Sequence, residues 1–102
     1  MANTFKNYVS SGVGTSEATV YTVPSSTTAV LIGCNIANVA SSQIKVTVKV
    51  ADTHIVKTVP IPANSSLSVL DGKIIAETTD TVKVTSDTAS SVDVVLSVLE
   101  QT

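Results

Sequence analysis

The sequence predicts an all-β fold, a compact β-sandwich of about seven or eight short antiparallel strands, either Ig-like or jelly-roll-like. The first observation is alternation. Residues 43–50, QIKVTVKV, are apolar on one parity and polar on the other, as in a strand with one buried face. The second is composition, because the chain is rich in Val and Thr, whose branched side chains suit a pleated sheet. The third is spacing, since turn residues recur about every ten positions.

The N-terminal segment shows no clean period and contains Gly12 and Gly14. We therefore expect residues 1–15 to form a flexible N-terminal arm and residues 16–102 to form a single β-sandwich domain. Phe5, Tyr8 and Val9 are the candidate partner-docking residues of this arm, because ordering a flexible segment costs backbone entropy that a partner surface can offset. The alternative is that this stretch adds an edge strand to its own sheet.

Two strands are predicted next. Residues 17–23 form the first and end at Pro24, because proline fixes φ and lacks the N–H that a ladder needs. Residues 27–37 follow with apolar side chains on both parities, which favours a strand covered on both faces. Gly33 lies inside this strand and predicts a bulge or a close approach by another backbone.

The middle of the chain predicts a hairpin and then a corner. Residues 43–51 and 53–60 flank Asp52 as the two strands of a tight hairpin. Pro60 and Pro62 together remove two N–H donors, so the segment around them cannot be a central strand. It is predicted to be a corner or a crossing between sheets.

A second hairpin is predicted where residues 65–70 and 73–78 flank Asp71-Gly72, because Asp-Gly suits the positive φ angles of a two-residue turn. Residues 81–86 and 91–100 complete the sandwich. The apolar positions on the buried parity of all these strands form the predicted core: Val20, Leu31, Ile36, Ile44, Val46, Val48, Val56, Leu67, Val82, Val84, Val94, Leu96 and Val98.

Charge and hydropathy argue against two classes of partner. The net charge is −2, and the six basic residues are scattered lysines without arginine, so the chain lacks the basic patch that nucleic-acid binding requires. No apolar run approaches the roughly 18 residues of a membrane-spanning helix. The N-terminus also lacks the pattern of a signal peptide, so we expect synthesis in a host cytoplasm. Neither nucleic acid nor membrane is an expected partner.

No group of residues predicts a catalytic, cofactor or metal site. His54 is the only histidine, and one imidazole beside Asp52 makes at most half of a ligand set. Cys34 is the only cysteine and lies within an apolar strand, where a free thiol usually behaves as a small hydrophobe. Most aspartates fall in turns, where they cap their own backbone. The sequence therefore predicts a protein that is not an enzyme and binds no cofactor.

Three segments carry a family resemblance, which extends from about residue 18 to the C-terminus. They read YTVPSSTTAVLIG, IVKTVPIPA and SDTASSVDVVLSVLE. In amino-acid sequence and in fold class, these segments resemble small virion structural proteins of phages of marine and freshwater bacteria. The resemblance implies a location in the virion and no enzymatic role. The implied partner is a phage coat protein or another virion component, with a homo-oligomer left open.

Three functions follow from these expectations. The first is a capsid decoration or cement protein that stabilises the assembled head. The alternative is a β-module associated with the tail, neck or fibre. A carbohydrate-binding module is the third, and it would need aromatic platforms. Since the chain has only Phe5, Tyr8 and Tyr21, that hypothesis depends on whether the two tyrosines lie side by side in the open.

Overall fold

The computed structural model describes residues 2–70 and 72–102. This part of the chain contains β-strands and no helix, so it has no helix that could cross a membrane. The all-β prediction is confirmed. The strands are β1 (Asn3–Val13), β2 (Ala18–Thr22), β3 (Thr28–Asn38), β4 (Ile44–Val50), β5 (Thr53–Ile61), β6 (Ser66–Ser68), β7 (Ile74–Ala76), β8 (Thr81–Ser86) and β9 (Val92–Gln101).

The strands form two antiparallel sheets that pack as a sandwich. Sheet I has the order β1-β9-β3-β6, with β7 also paired to β3, and sheet II has the order β2-β8-β4-β5. The strands β6 and β7 pair with different parts of β3 and act as one interrupted strand. Counted in this way, the chain has the strand order of a jelly roll. Of the two sandwich types left open by the sequence, the structure has this one.

The core lies between the two sheets and consists almost entirely of aliphatic side chains from the inward parity of each strand. Most of the predicted core residues are buried, whereas Val20, Val56 and Leu67 are half-buried at its margin. The largest side chains that are almost fully enclosed include Leu31, Ile36, Ile44, Ile61 and Leu96.

A bulge explains why Val20 is not at the centre of the core. The pairing of β2 with β8 shifts between Thr19 and Tyr21, so Val20 is the extra residue. Because an inserted residue reverses the parity of the residues after it, Tyr21 and Val23 point inward and are 3% and 2% exposed. A second bulge follows Leu31 in β3, as the glycine at position 33 predicted.

The first predicted hairpin is confirmed, and so is the crossing. The strands β4 and β5 pair antiparallel across Ala51 and Asp52, whose φ angles are 52° and 59°. Two consecutive positive φ angles are typical of a type I′ turn, which matches the twist of the flanking strands. After Pro60 and Ile61 the chain leaves β5 of sheet II and enters β6 of sheet I.

The second predicted hairpin is wrong. Residues 66–68 and 74–76 do not pair with each other, because each pairs with β3 on the side away from β9. Asp71 lies outside the described residues, and Gly72 has a φ of 108°. An apolar strand such as β3 offers a long ladder to both short segments, and this pairing over long range replaces the local one.

Candidate partner-docking surface

The N-terminal segment belongs to sheet I. Its pairing with β9 runs without interruption from Asn3 opposite Gln101 to Ser10 opposite Val94, and it resumes at Val13. The expectation of a separate arm over residues 1–15 is therefore corrected for this stretch, and the edge-strand alternative describes it. The backbone ladder holds β1 in place, since Val13 is its only buried side chain.

The three candidate docking residues do not share one face. Phe5 and Val9 point outward and are 74% and 67% exposed, whereas Tyr8 is half-buried and packs against the core. Alternation along a strand explains the separation, because successive side chains point to opposite sides of the sheet. Phe5 and Val9 therefore belong to an outer surface, and Tyr8 belongs to the interior.

The outer face of sheet I carries a row of apolar side chains across its strands. Phe5 on β1 lies opposite Leu99 on β9, Leu99 lies opposite Val30 on β3, and Val30 lies opposite Ile75 on β7. We call these four residues the apolar row. Ile32 is exposed beside this row, and Val9 and Val95 are exposed on the same face beyond the polar pair of Asn7 and Ser97.

The exposed face of β3 corrects a second expectation. This strand was predicted to be covered on both faces, but Ile32 is 40% exposed on its outer side. The strand is nevertheless apolar on both faces, because Val30 and Ile32 lie on its outer face and Ala29 and Leu31 lie on its inner face. Within the described residues, no part of the chain forms a third layer over them.

Sheet I presents almost no charge on this face. Its strands contain only Lys6, Asp93 and Glu100 as charged residues. Lys6 and Glu100 pair with each other at 3.5 Å between Nζ and Oε1. The Asp93 carboxylate accepts a hydrogen bond of 2.9 Å from the Gly12 backbone N–H. The outer face of sheet I is therefore close to neutral, and its apolar row lies among uncharged polar residues of the same face such as Asn7, Asn35 and Ser97.

Sheet II, in contrast, has a charged outer face. Its outer face carries Lys45, Lys49 and Lys83, and two of these lysines form ion pairs: Lys49 with Glu17 at 2.9 Å and Lys83 with Asp52 at 3.2 Å. Such a face is compatible with water, and its lysines discourage pairing with other chains. The contrast identifies the outer face of sheet I as the candidate docking surface, because contiguous exposed apolar patches mark interaction sites.

Two depressions on the described surface have linings without Asp, Glu, His or Cys. One, of about 210 Å³, is lined by Phe5, Lys6, Asn7, Ile32, Ser97 and Val98. The other, of about 640 Å³, is lined by Ala37, Asn38, Val39, Asn64, Ser65 and Ser66. Residues 2–70 and 72–102 contain no group of three or more His, Cys, Asp or Glu placed to hold a metal ion.

The two residues with potential chemistry line neither depression. Cys34 is 3% exposed, and burial raises the pKa of its thiol to about 11, which disfavours the reactive thiolate. His54 is an exposed residue of β5 opposite Lys49.

A buried carboxylate on β9 binds one side chain from β1 and one from sheet II, and the sequence analysis did not predict it. Glu100 on β9 is 5% exposed, and its Oε2 accepts hydrogen bonds from the hydroxyls of Tyr21 at 2.6 Å and Tyr8 at 2.8 Å. The two tyrosine rings pack with centroids 4.3 Å apart. Tyr21 belongs to sheet II, so its hydrogen bond to Glu100 joins the two sheets. We call Tyr8, Tyr21, Glu100 and Lys6 the tyrosine–glutamate cluster. This cluster closes the open side of the sandwich next to β1.

The electrostatics of this cluster favour the ionised carboxylate. The hydrogen bond from Tyr21 is the largest cause that lowers the pKa of Glu100, and Tyr8 and Lys6 act in the same direction against the cost of burial. Burial, reinforced by the bond to Glu100, raises the pKa of both tyrosines, so both remain donors. One signal was present in the sequence: Glu100 shares the buried parity of Leu96 and Val98.

The cluster predicts a specific dependence of stability on pH. Because the folded pKa of Glu100 lies below the unfolded one, its stabilisation is present above about pH 4.3 and is lost as the pH falls through the folded pKa. Glu100→Gln is expected to lower the free energy of unfolding by about 1.5–3 kcal/mol at pH 7. This difference should shrink in urea titrations below pH 4.

A matched control is Glu17→Gln, which removes a more exposed carboxylate paired with Lys49. It is expected to change the free energy of unfolding by less than about 1 kcal/mol. A Glu100→Gln deficit that stays constant from neutral to acid pH would contradict the assignment of the ionised form to the cluster.

Comparisons with known proteins give a fold and no family. No protein-family model and no curated protein matches the chain. Among solved structures, a chain of the acid-stable capsid of Helicobacter pylori bacteriophage KHP30 is similar, with a TM-score of 0.60 and 14% identity over 98% of this chain and 87% of that one. A chain of the Bacillus endospore appendages, described as disulfide-linked pili, has a TM-score of 0.57 and 16% identity over 99% of this chain and 87% of that one.

At these identities the likeness establishes the shared fold alone. These two chains come from protein assemblies, a phage capsid and a pilus. Cys34 is a poor candidate for a disulfide between subunits, because it is buried in the core of its own domain.

Proposed function

We propose that this protein is a non-enzymatic structural protein of a phage virion, and that it decorates the assembled head by docking the outer face of sheet I on coat protein. One observation carries the proposal: this face is nearly uncharged and carries an exposed row of apolar side chains, with Phe5 74%, Ile75 57% and the adjacent Ile32 40% exposed. The sequence resemblance to virion proteins and the fold shared with a chain of a phage capsid support the choice of partner. On this proposal the protein is made in the host cytoplasm and resides in the virion.

The size of the face suits such a role. The chain measures 45 × 21 × 20 Å, so a whole long side of the molecule spans about 950 Å². A standard interface buries roughly 800 Å² on each partner. Phe5 and Val9 remain docking residues in this proposal as part of the face, whereas Tyr8 supports β1 from inside.

The tail, neck or fibre alternative uses the same face. It is favoured by one observation, the fold shared with a subunit of a filament, the endospore appendage. Counting copies per purified virion separates the two roles, because a protein that decorates the head lattice is present in many more copies than a component of the single neck.

The carbohydrate-binding alternative loses its structural basis. Tyr8 and Tyr21 lie side by side, but Tyr21 is 3% exposed and both hydroxyls are bound to Glu100. A sugar platform needs an accessible ring face with free polar groups around it.

Docking can be tested by adding the purified protein to particles that lack it. The double variant Ile32→Ser with Ile75→Ser is expected to weaken attachment by about 100-fold, since each lost apolar side chain contributes about 1.5 kcal/mol or more when buried. It leaves β1 unchanged. Val39→Ser is the control, because Val39 is 52% exposed but lies in the loop after β3.

The control should attach as the unmodified protein does. Equal attachment of the double variant would move the docking surface elsewhere on the molecule. Absence of the protein from purified virions would overturn the virion role itself.

A further inference from the structure

The edge of sheet I at β1 is open to strand pairing, unlike the other sheet edges. The strand has 11 residues and no proline, and among residues 2–70 and 72–102 it has a neighbour only on the β9 side. Its pairing with β9 is regular over Asn3 to Ser10. A long regular edge presents a row of free backbone N–H and C=O groups that can pair with another strand.

The remaining edges carry features that hinder pairing. The edge strand β2 is 5 residues long and bulged. The edge strand β5 contains Lys57 and Pro60 and has two register shifts against β4. On the far side of sheet I, β6 and β7 have 3 residues each. Short length, bulges, lysine and proline are the usual protections of a sheet edge, and of these β1 has Lys6 and a register shift that falls after Ser10.

We propose that β1 pairs antiparallel with β1 of a second copy of this chain, about a two-fold axis at Asn7. In this register Phe5 lies opposite Val9 of the second copy, and Val9 lies opposite its Phe5. These are the two most exposed large apolar side chains of the strand, at 74% and 67%. An aromatic residue opposite a β-branched one is a favourable pair across strands, and the symmetry supplies it twice.

Charge selects the same register. Lys6 is the only charged residue in β1, and the axis at Asn7 places it opposite Tyr8 of the second copy. Moving the axis to Lys6 would bring the two lysines directly opposite each other, which destabilises a strand pair. It would also place Phe5 opposite Asn7 and lose the apolar pairs. Of these two registers, the one with the axis at Asn7 is therefore the one in which the strand is complementary to itself.

This pairing would extend the proposed docking surface, but it does not depend on the proposed function. Joining two copies edge to edge leaves the outer face of sheet I uncovered, so two apolar rows would lie side by side on one continuous sheet. The pairing is tested on the isolated protein, without particles. Its failure is thus distinct from failure of the virion role.

Cysteine crosslinking tests the register. Residues opposite each other in an antiparallel pair have Cα atoms about 4.5–5.5 Å apart, which is within the range of a disulfide. Asn7→Cys is expected to form a covalent dimer under mild oxidation, seen on a non-reducing gel, because the axis brings the two new thiols together. Phe5→Cys and Val9→Cys should each remain largely monomeric, whereas the double variant with both changes should crosslink. The native Cys34 is buried and serves as the same background in every variant.

Sedimentation equilibrium of the unmodified protein provides the second measurement. A species of two chains at high micromolar concentration is expected, and Phe5→Lys with Val9→Lys should convert it to one chain. Phe5→Lys with Val9→Glu should restore the two-chain species, because each new lysine would face a new glutamate of the other copy. Crosslinking of Phe5→Cys in preference to Asn7→Cys would overturn the register, and a single-chain mass with no crosslinking of Asn7→Cys would overturn the pairing.

Discussion

Asn38→Asp is expected to lower the free energy of unfolding by about 3–5 kcal/mol. The Asn38 side chain is buried, and its Nδ2 lies 2.9, 3.0 and 3.1 Å from the carbonyl oxygens of Ser42, Ile61 and Pro62. Its Oδ1 accepts from the Ala40 N–H at 2.8 Å. Aspartate has the same shape but replaces the amide donor with an acceptor, so a buried carboxylate would face three carbonyl oxygens.

Asn35→Asp is the matched control for this substitution. Asn35 lies on the same strand, but its side chain is exposed on the outer face of sheet I, so we expect a change within about 0.5 kcal/mol. Urea unfolding of both variants at pH 7 provides the comparison. A loss below about 1 kcal/mol for Asn38→Asp would show that the amide does not hold the loop after β3 to the crossing at Pro62.

Leu96→Ala is expected to destabilise the protein by about 2–4 kcal/mol. Leu96 is fully buried and lies at the middle of β9, between Tyr8 on β1 and Cys34 on β3. Removing its side chain loses transfer free energy and leaves a cavity that the rigid sheets on both sides cannot fill. Thermal or urea unfolding measures the loss.

The neighbouring residue supplies the control. Val95 is 43% exposed on the opposite face of β9, so Val95→Ala is expected to cost less than about 1 kcal/mol. A larger loss for Val95→Ala than for Leu96→Ala would mean that the faces of β9 are assigned the wrong way round.

Local sequence determined the strands after residue 16 and one turn, whereas β1 was expected to be a flexible arm. In residues 43–50 and 81–86 a period of two identifies the buried parity directly, because successive side chains of a strand alternate between its faces. The turn at Ala51 and Asp52 also formed as predicted, since it joins neighbouring strands. The exceptions are local bulges: at Val20 an inserted residue reversed the parity of Tyr21 and Val23.

Tertiary structure decided everything that depends on residues far apart in the chain. The segments that flank Asp71-Gly72 pair with β3 instead of with each other, and Glu100 meets Tyr21 across 79 positions. The pattern of β3 is the clearest case, because apolar residues on both parities indicate that both faces need covering but do not say by what. The fold covers one face with its own core and leaves Ile32 and Val30 in the outer surface of sheet I. Alternation along a strand specifies which side chains share a face, whereas the layer that packs on that face is set by long-range pairing and by partners.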